Sequence, residues 1–150
     1  MAIKVVLVVV AVLLVGFVAI QFVPVQRTNP PVVTQLDWDS VQTEALAQRA
    51  CMDCHSNETK WPWYSYVAPV SWLVAHDVEE GRREMNFSQL STNANSLSRM
   101  GQRIERAIQS GNMPPAQYFP THPDARLTAD EKQALIAGML KTLSKPPLSK

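Results

Sequence analysis

Cys51-Met-Asp-Cys54-His55 is the stretch on which the reading of this chain turns. The chain's 2 cysteines both lie in it, and a histidine directly follows the second. Two thiols separated by two residues can each form a thioether to one vinyl group of a haem, and the adjacent imidazole then lies beneath the iron. The stretch therefore predicts one haem c attached covalently through Cys51 and Cys54, with His55 as proximal axial ligand. Other uses of the pair fit less well. A redox-active dithiol belongs in a βαβ context, which is not visible here. A structural zinc site needs four ligands, and adjacent Cys54 and His55 make an awkward chelate even if His76 or His122 joined them. A plain disulfide would close only a tiny loop and stabilise little.

Working outward from the cysteines, the flanks read as helices. Asp39 and Ser40, followed by Val41, Ala45, Leu46 and Ala50, give an N-cap and an apolar stripe at helical spacing. This first helix, around Val41 to Ala50, runs straight into Cys51. Downstream, Trp61-Pro-Trp-Tyr-Ser-Tyr66 is too irregular for a long helix. Pro69 is suited to open a second one, carrying Val70, Leu73, Val74 and Val78, which Gly81 weakens or ends. Ser88 to Asn95 reads as a polar loop. A third helix follows with Leu97, Ile104, Ala107 and Ile108 on one side and Gly111 just past its end. Thr128-Ala-Asp-Glu131 is a capping box opening the last helix, around Ala129 to Leu143, with Leu135, Ile136, Met139, Leu140 and Leu143 on its apolar face. No run alternates with a period of two and no repeat is visible, so the domain reads as all-α.

The second axial position on the iron needs its own donor. Met113 is the leading candidate, because Gly111-Asn-Met-Pro-Pro115 is a short, backbone-restricted segment between two helices, able to aim a thioether. His76 is the challenger, although Asp77, Glu79 and Glu80 give it a solvated setting, and His122 follows. Met85 and Met100 read as core residues, and Met52 lies inside the attachment loop. Trp61, Trp63 and Tyr64, with Tyr66 and Trp72, form an aromatic group that could wall a flat macrocycle or hydrogen-bond its propionates. The same residues also suit an ordinary core, Trp72 especially, or a lipid interface. Lys60, Arg82 and Arg83 could pair with propionates, with exposed charge as the default.

The apolar content, 46% overall, is unevenly placed. From Val5 to Gln26 no side chain is charged, and Val5 to Val23 as a helix rises roughly 28 Å, enough to cross a bilayer's hydrocarbon core. Bulky Phe22 and Val23 leave no small-residue cleavage pattern, which favours an uncleaved anchor over residues 1–23 rather than a signal peptide. Lys4 places the amino terminus on the cytoplasmic side and the rest of the chain outside. Residues 24–34, with Pro24, Pro30 and Pro31, read as a semi-rigid spacer lifting a domain of residues 35–145 off the lipid. With Lys4 set apart, 13 basic residues face 13 acidic ones. No strongly basic surface is formed, so nucleic acid is a poor partner.

These residues together give the chain a resemblance to the bacterial haem-binding-domain family of small c-type cytochromes, running from about residue 35 to residue 145. It is carried by Cys51 to Tyr66, Val67 to Val74, Asp77 to Arg82 and Asn86 to Ser88. The resemblance implies covalent haem through Cys51 and Cys54, His55 proximal, the Met-Pro-Pro element at Met113 distal, and a cytochrome c-like all-α fold closed by a carboxy-terminal helix. The expected role is a membrane-anchored one-electron carrier, not an enzyme. It would face the periplasm or exterior from the inner membrane, with residues 5–23 in lipid, and exchange electrons with membrane-bound or periplasmic redox partners. A haem sensor or peroxidase-like protein with a labile sixth ligand stays open as an alternative, as does a haem-bearing structural subunit of a larger complex.

Overall fold

A computed structural model describes residues 1–150. Helix α1, Ala2–Ile20, is apolar throughout and contains no buried residue, so its body projects clear of the rest of the chain. Its length and composition are sufficient to cross a membrane. The remainder is all-α. Helix α2 covers Val41–Ala50, a single turn α3 covers Met52–His55, and three longer helices follow: α4 Val70–Glu84, α5 Ala94–Gln109 and α6 Ala129–Thr142. The one sheet is a two-residue antiparallel pairing of β1, Thr34–Gln35, with β2, Leu148–Ser149.

Local chemistry sets the helix ends as the sequence requires. Ser40 Oγ accepts from the Thr43 amide at the start of α2, and Asn93 Oδ1 accepts from the Ser96 amide at the start of α5. At α6 the capping box is complete: Thr128 Oγ1 accepts from the Glu131 amide, and the Glu131 carboxylate accepts from the Thr128 amide. Both bonds satisfy amides that an isolated helix leaves without partners. They also draw the exposed Glu131 carboxyl below its ordinary pKa, with the Arg49 guanidinium acting in the same direction.

The core lies where α2, α5 and α6 meet. Leu46 and Ala47 of α2, Leu97, Ile104 and Ile108 of α5, and Leu135, Ile136, Met139 and Leu143 at α6 form one cluster, closed by Met52, Phe87, Leu90 and Leu127. The first and last helices of the domain therefore pack together as the pattern of apolar residues predicts. Across that junction Arg49 donates to Glu131 Oε1 at 2.8 Å and to the Asp124 carbonyl, and the Asp39 amide donates to Thr142 Oγ1 at 3.1 Å.

Four expectations need correction. The buried side of α2 is Thr43, Leu46 and Ala47, while Val41 and Ala45 face solvent; the capping turn rotates the stripe relative to the simple apolar pattern. Helix α4 does not stop at Gly81 but continues to Glu84, and its buried residues are Ser71, Val78 and Gly81 rather than Val70, Leu73 and Val74. It packs by small residues because the chain beneath it approaches very closely. Trp72 is not core: it is 37% exposed, on the outer side of α4. Residues 24–34 are extended as expected, yet they lie against the domain. The Val33 amide donates to the Ser88 carbonyl at 2.9 Å, Asn57 Nδ2 to the Pro31 carbonyl at 2.8 Å, and Asn29 Nδ2 to the Thr59 carbonyl at 2.9 Å.

Gly138 on α6 faces Thr43 on α2 so tightly that an added Cβ would lie 1.9 Å from Thr43 Oγ1. Gly138→Ala should therefore force α6 away from α2 and cost about 2 kcal/mol, in the range of overpacked cores. A drop in thermal midpoint of several degrees would be seen by circular dichroism, and an unchanged midpoint would contradict this account of the junction.

Candidate functional site

Cys51 closes α2 in a non-helical conformation, and α3 immediately turns Cys54 and His55 back toward α4. The amides of Cys54 and His55 both donate to the Cys51 carbonyl, at 3.3 and 3.0 Å, which folds the five-residue motif into a tight loop. Both cysteines are free thiols at this loop. Burial, reinforced by Cys54, pushes the Cys51 thiol up to about 12, and burial with Asp77 and Asp53 pushes Cys54 up to about 12.

His55 is oriented by backbone alone. Its Nδ1 lies 2.8 Å from the Gly81 carbonyl and 3.1 Å from the Met85 carbonyl. Carbonyl oxygens only accept, so Nδ1 carries the proton and Nε2 keeps its lone pair free. A carbonyl bond of this type fixes ring direction and tautomer. The His55 carbonyl in turn accepts from the Phe87 amide at 2.8 Å, and the ring meets Phe87 edge-on with centroids 6.4 Å apart.

The approach of α4 to the motif is closest at Gly81. A Cβ there would lie 2.5 Å from the Cys54 carbonyl oxygen, so only glycine fits. This is why α4 carries a glycine at a position where periodicity alone reads a helix end.

Cys51 and His55 open onto an apolar cleft whose far wall is α5. Met85, Met100, Ile104, Ala107 and Ile108 line it, and Met113 stands at the same cleft. Met113 is 40% exposed. Its backbone is set by its surroundings: Gly111 takes the left-handed conformation (φ 74°) that ends the turn after α5, and the Met113 amide donates to the Ala107 carbonyl at 3.1 Å. A second hollow, which shares Cys51, His55, Glu84 and Met113 with the first, adds Cys54, Asp77 and Tyr118. The structure therefore brings Cys51, Cys54, His55 and Met113 together. His76 lies elsewhere, in a cavity with Trp72 and Pro24.

The aromatic residues divide. Trp63 and Tyr64 line a hollow that reaches Cys54 and includes His122, whereas Trp61 lines the cavity of His76 and donates from its indole nitrogen to Asn29 Oδ1 at 3.1 Å. Trp61 therefore holds the residues 24–34 segment rather than the cleft, and the cleft's apolar wall is aliphatic and thioether. Met85 and Met100 belong to that wall as well as packing against the core.

Several residues act here without a signal in the sequence. Asp53, between the cysteines, accepts from the Tyr118 hydroxyl at Oδ2 (2.9 Å) and from the Lys60 amide at Oδ1 (3.1 Å). Burial and Asp53 together hold the Tyr118 hydroxyl protonated, far above its ordinary pKa. His122 stacks on Tyr118, ring centroids 3.7 Å apart and 8° from parallel. Arg82 does not point at the cleft: it donates to the Ser56 and Thr28 carbonyls, Asn29 Oδ1 and Thr59 Oγ1, all between 2.8 and 2.9 Å. That places one guanidinium between the motif loop and the extended segment, and its burial lowers its own pKa.

The fit of this cleft to a haem rests on its donor set: an apolar slot, a ring nitrogen with a free lone pair, a thioether, and two unpaired thiols at the edge. No three His, Cys, Asp or Glu side chains gather to hold a bare metal ion.

Comparison with known proteins gives the same direction. Cytochrome c peroxidase Ccp of Escherichia coli (strain K12) is 23% identical over 100 residues, covering 64% of this chain but 22% of the peroxidase. This chain thus spans about a fifth of that enzyme's length. No solved structure matches. The family model described as "Haem-binding domain" matches residues 15–141, from the end of α1 almost to the end of α6. With that span covered and a cleft suited to the cofactor, the chain belongs to the haem-binding domain family.

Proposed function

We propose that this protein is a monohaem c-type cytochrome that carries single electrons, anchored by α1 in the cytoplasmic membrane with its domain on the outer side. The observation that carries this reading is the shared cleft of His55 and Met113, with both thiols at its edge. A haem held there supplies a one-electron couple. The residues provide the rest. Cys51 and Cys54 fix the macrocycle by thioethers, so even a small domain cannot lose it. His55, with Nδ1 locked to Gly81 and Met85, presents Nε2 in one orientation. Met113 would offer the cofactor a thioether, a ligand type that raises the potential relative to a second imidazole. The aliphatic wall of α5 excludes water, which favours the less charged, reduced state. If both donors stayed bound through the redox cycle, reorganisation would be small. Anchoring by α1 confines exchange to membrane-bound or nearby redox partners.

A peroxidase-like role is the second reading, favoured by the name of the Escherichia coli relative and by the exposure of Met113, which suits a displaceable ligand. It requires a proton-handling side chain at the open face of the cofactor. His122 is stacked on Tyr118 and lines the hollow of Trp63 and Cys54 rather than the cleft of Met113, but Glu84 lines that cleft and is able to take the role. The carrier reading is preferred because the cleft is otherwise mainly apolar and offers the Met113 thioether as a donor.

The two readings part in one spectrum. The oxidised wild-type protein should show low-spin haem c with a weak far-red sulfur-to-iron band, and Met113→Ala should abolish that band. A high-spin oxidised wild type that turns over peroxide would replace the carrier reading with the peroxidase one. Covalent attachment has a separate test: the double substitution Cys51→Ala and Cys54→Ala should remove haem staining from a denaturing gel, and persistent staining would contradict thioether linkage. Gly81→Ala pushes α4 off the motif at the Cys54 carbonyl and pulls the acceptor from His55. Loss of one such bond costs about 1 kcal/mol, and overpacking adds more. Haem-stained yield and thermal midpoint should both fall, and wild-type values of both would contradict the role given to this contact.

A further inference from the structure

We propose that the turn Trp63–Tyr66 and the outer side of α4 rest in the headgroup interface of the membrane that α1 enters, so that the domain is docked on lipid. This rests on reading α1 as a membrane anchor. From residue 61 to residue 75 no side chain is charged, yet much of this stretch faces outward. Trp63 is 77% exposed, Tyr66 58% and Leu73 48%, with Val67 and Val70 also exposed. Soluble surfaces carry isolated apolar residues, but a contiguous aromatic and aliphatic patch marks an interaction face. These residues are contiguous: Trp63, Val70 and Leu73 line one hollow, and Tyr66 and Val67 complete the same turn. The patch is left open because α4 turns its small residues, Ser71 and Gly81, inward to the motif.

Its position identifies the occupant. Gln21, the sole polar side chain between Lys4 and Gln26, sits at the exit of α1 and bonds this patch in both directions. Its Nε2 donates to the Ala68 carbonyl at 3.2 Å, and its Oε1 accepts from the Ala68 amide at 2.9 Å. Phe22 and Val23, both exposed, continue the apolar surface from α1 to the patch. Arg27 then lies over the Tyr66 ring, 4.5 Å from its centroid, and donates to the Ser65 carbonyl at 3.2 Å. A patch bonded to the last turn of a membrane span cannot leave the lipid surface while those bonds hold. Its chemistry matches that depth: Trp and Tyr prefer the interface, and flanking cations such as Arg27 and Lys60 meet lipid phosphates. A protein partner would have to displace lipid from a surface already held against it. Docking also fixes the site, because the hollow behind Trp63 reaches Cys54. The Cys54 edge of the cofactor cleft is then turned toward the membrane, where membrane-bound redox partners lie.

The test uses the full haem-loaded chain in nanodiscs of phosphatidylethanolamine and phosphatidylglycerol. The photocrosslinking residue benzoylphenylalanine replaces Val12, Trp63, Leu73 or Gln102, one at a time, and lipid adducts are measured by mass spectrometry. Gln102, exposed on α5, reports background. Docking predicts adducts at Trp63 and Leu73 at yields comparable to Val12 and several-fold above Gln102. Adducts at Val12 with only background at Trp63 and Leu73 would overturn docking and leave the anchor intact. Background at Val12 as well would overturn the anchor, and docking with it. Crosslinks from Trp63 and Leu73 to a second copy instead of lipid would also overturn the proposal. The haem absorption spectrum identifies any variant that has lost its fold, and Tyr66 then serves as a further position.

Discussion

Helix α4 can hold His55 only because it comes within van der Waals distance of the Cys54 carbonyl, and that approach exists only at a glycine. The Nδ1–carbonyl bond at Gly81, 2.8 Å long, is the constraint from which the other features of the site follow. It requires α4 to run past Gly81, which brings the Met85 carbonyl within reach of the same nitrogen. It requires small residues on the inner side of α4, which turns Val70 and Leu73 outward. It also sets the ring so that Nε2 faces the cleft of Met113. A substitution that lengthens this contact disturbs the His55 ring, the helix packing and the surface patch together.

The second organising group is Arg82, one residue further along α4. Its guanidinium joins the motif loop at Ser56 and Thr59 to the extended segment at Thr28 and Asn29. Without it the segment between α1 and the domain would be a tether. With it, the exit of α1 is coupled to the loop that carries the two cysteines. Charge that seemed suited to propionates is used to bind backbone carbonyls instead, because a partly buried guanidinium needs most of its five donors satisfied. The segment that follows α1 and the loop of the two cysteines are therefore joined through one side chain.

What the sequence disclosed, and what it hid, divides along local and non-local lines. The motif, the capping box at Thr128, the helix carrying Ile104 and Ile108 and the turn before Met113 are written in residues a few positions apart, and they were legible. The all-α class followed from the same short-range periodicities. Gly81 was misread because its cause, the Cys54 carbonyl, lies 27 positions away and leaves no trace in the helix period. Trp72 and Trp61 were misplaced for the related reason that an aromatic side chain fits a core, a cleft wall or an interface equally well until the packing of its helix is known. Tyr118 and its bond to Asp53 were invisible, since 65 residues separate them and neither is unusual in its own neighbourhood.

The arrangement of the core then bears on how the cofactor and the fold depend on each other. Ile104 and Ile108 belong both to the buried cluster and to the wall of the cleft. One side of α5 thus packs on α6 while the edge of the same apolar strip lines the slot beside His55. Filling that slot with a flat apolar group removes further surface from water, at about 25 cal/mol per Å². A ligand bound by the native state and not by the unfolded chain stabilises the former. A small domain attached to a long apolar helix has few other sources of stability, because the residues of α1 are apolar without being buried in the domain. The apolar content of this chain is therefore split among three environments: the surroundings of α1, the cluster between α2, α5 and α6, and the slot. Of the two within the domain, the slot is the one whose burial depends on a group that the chain itself does not supply.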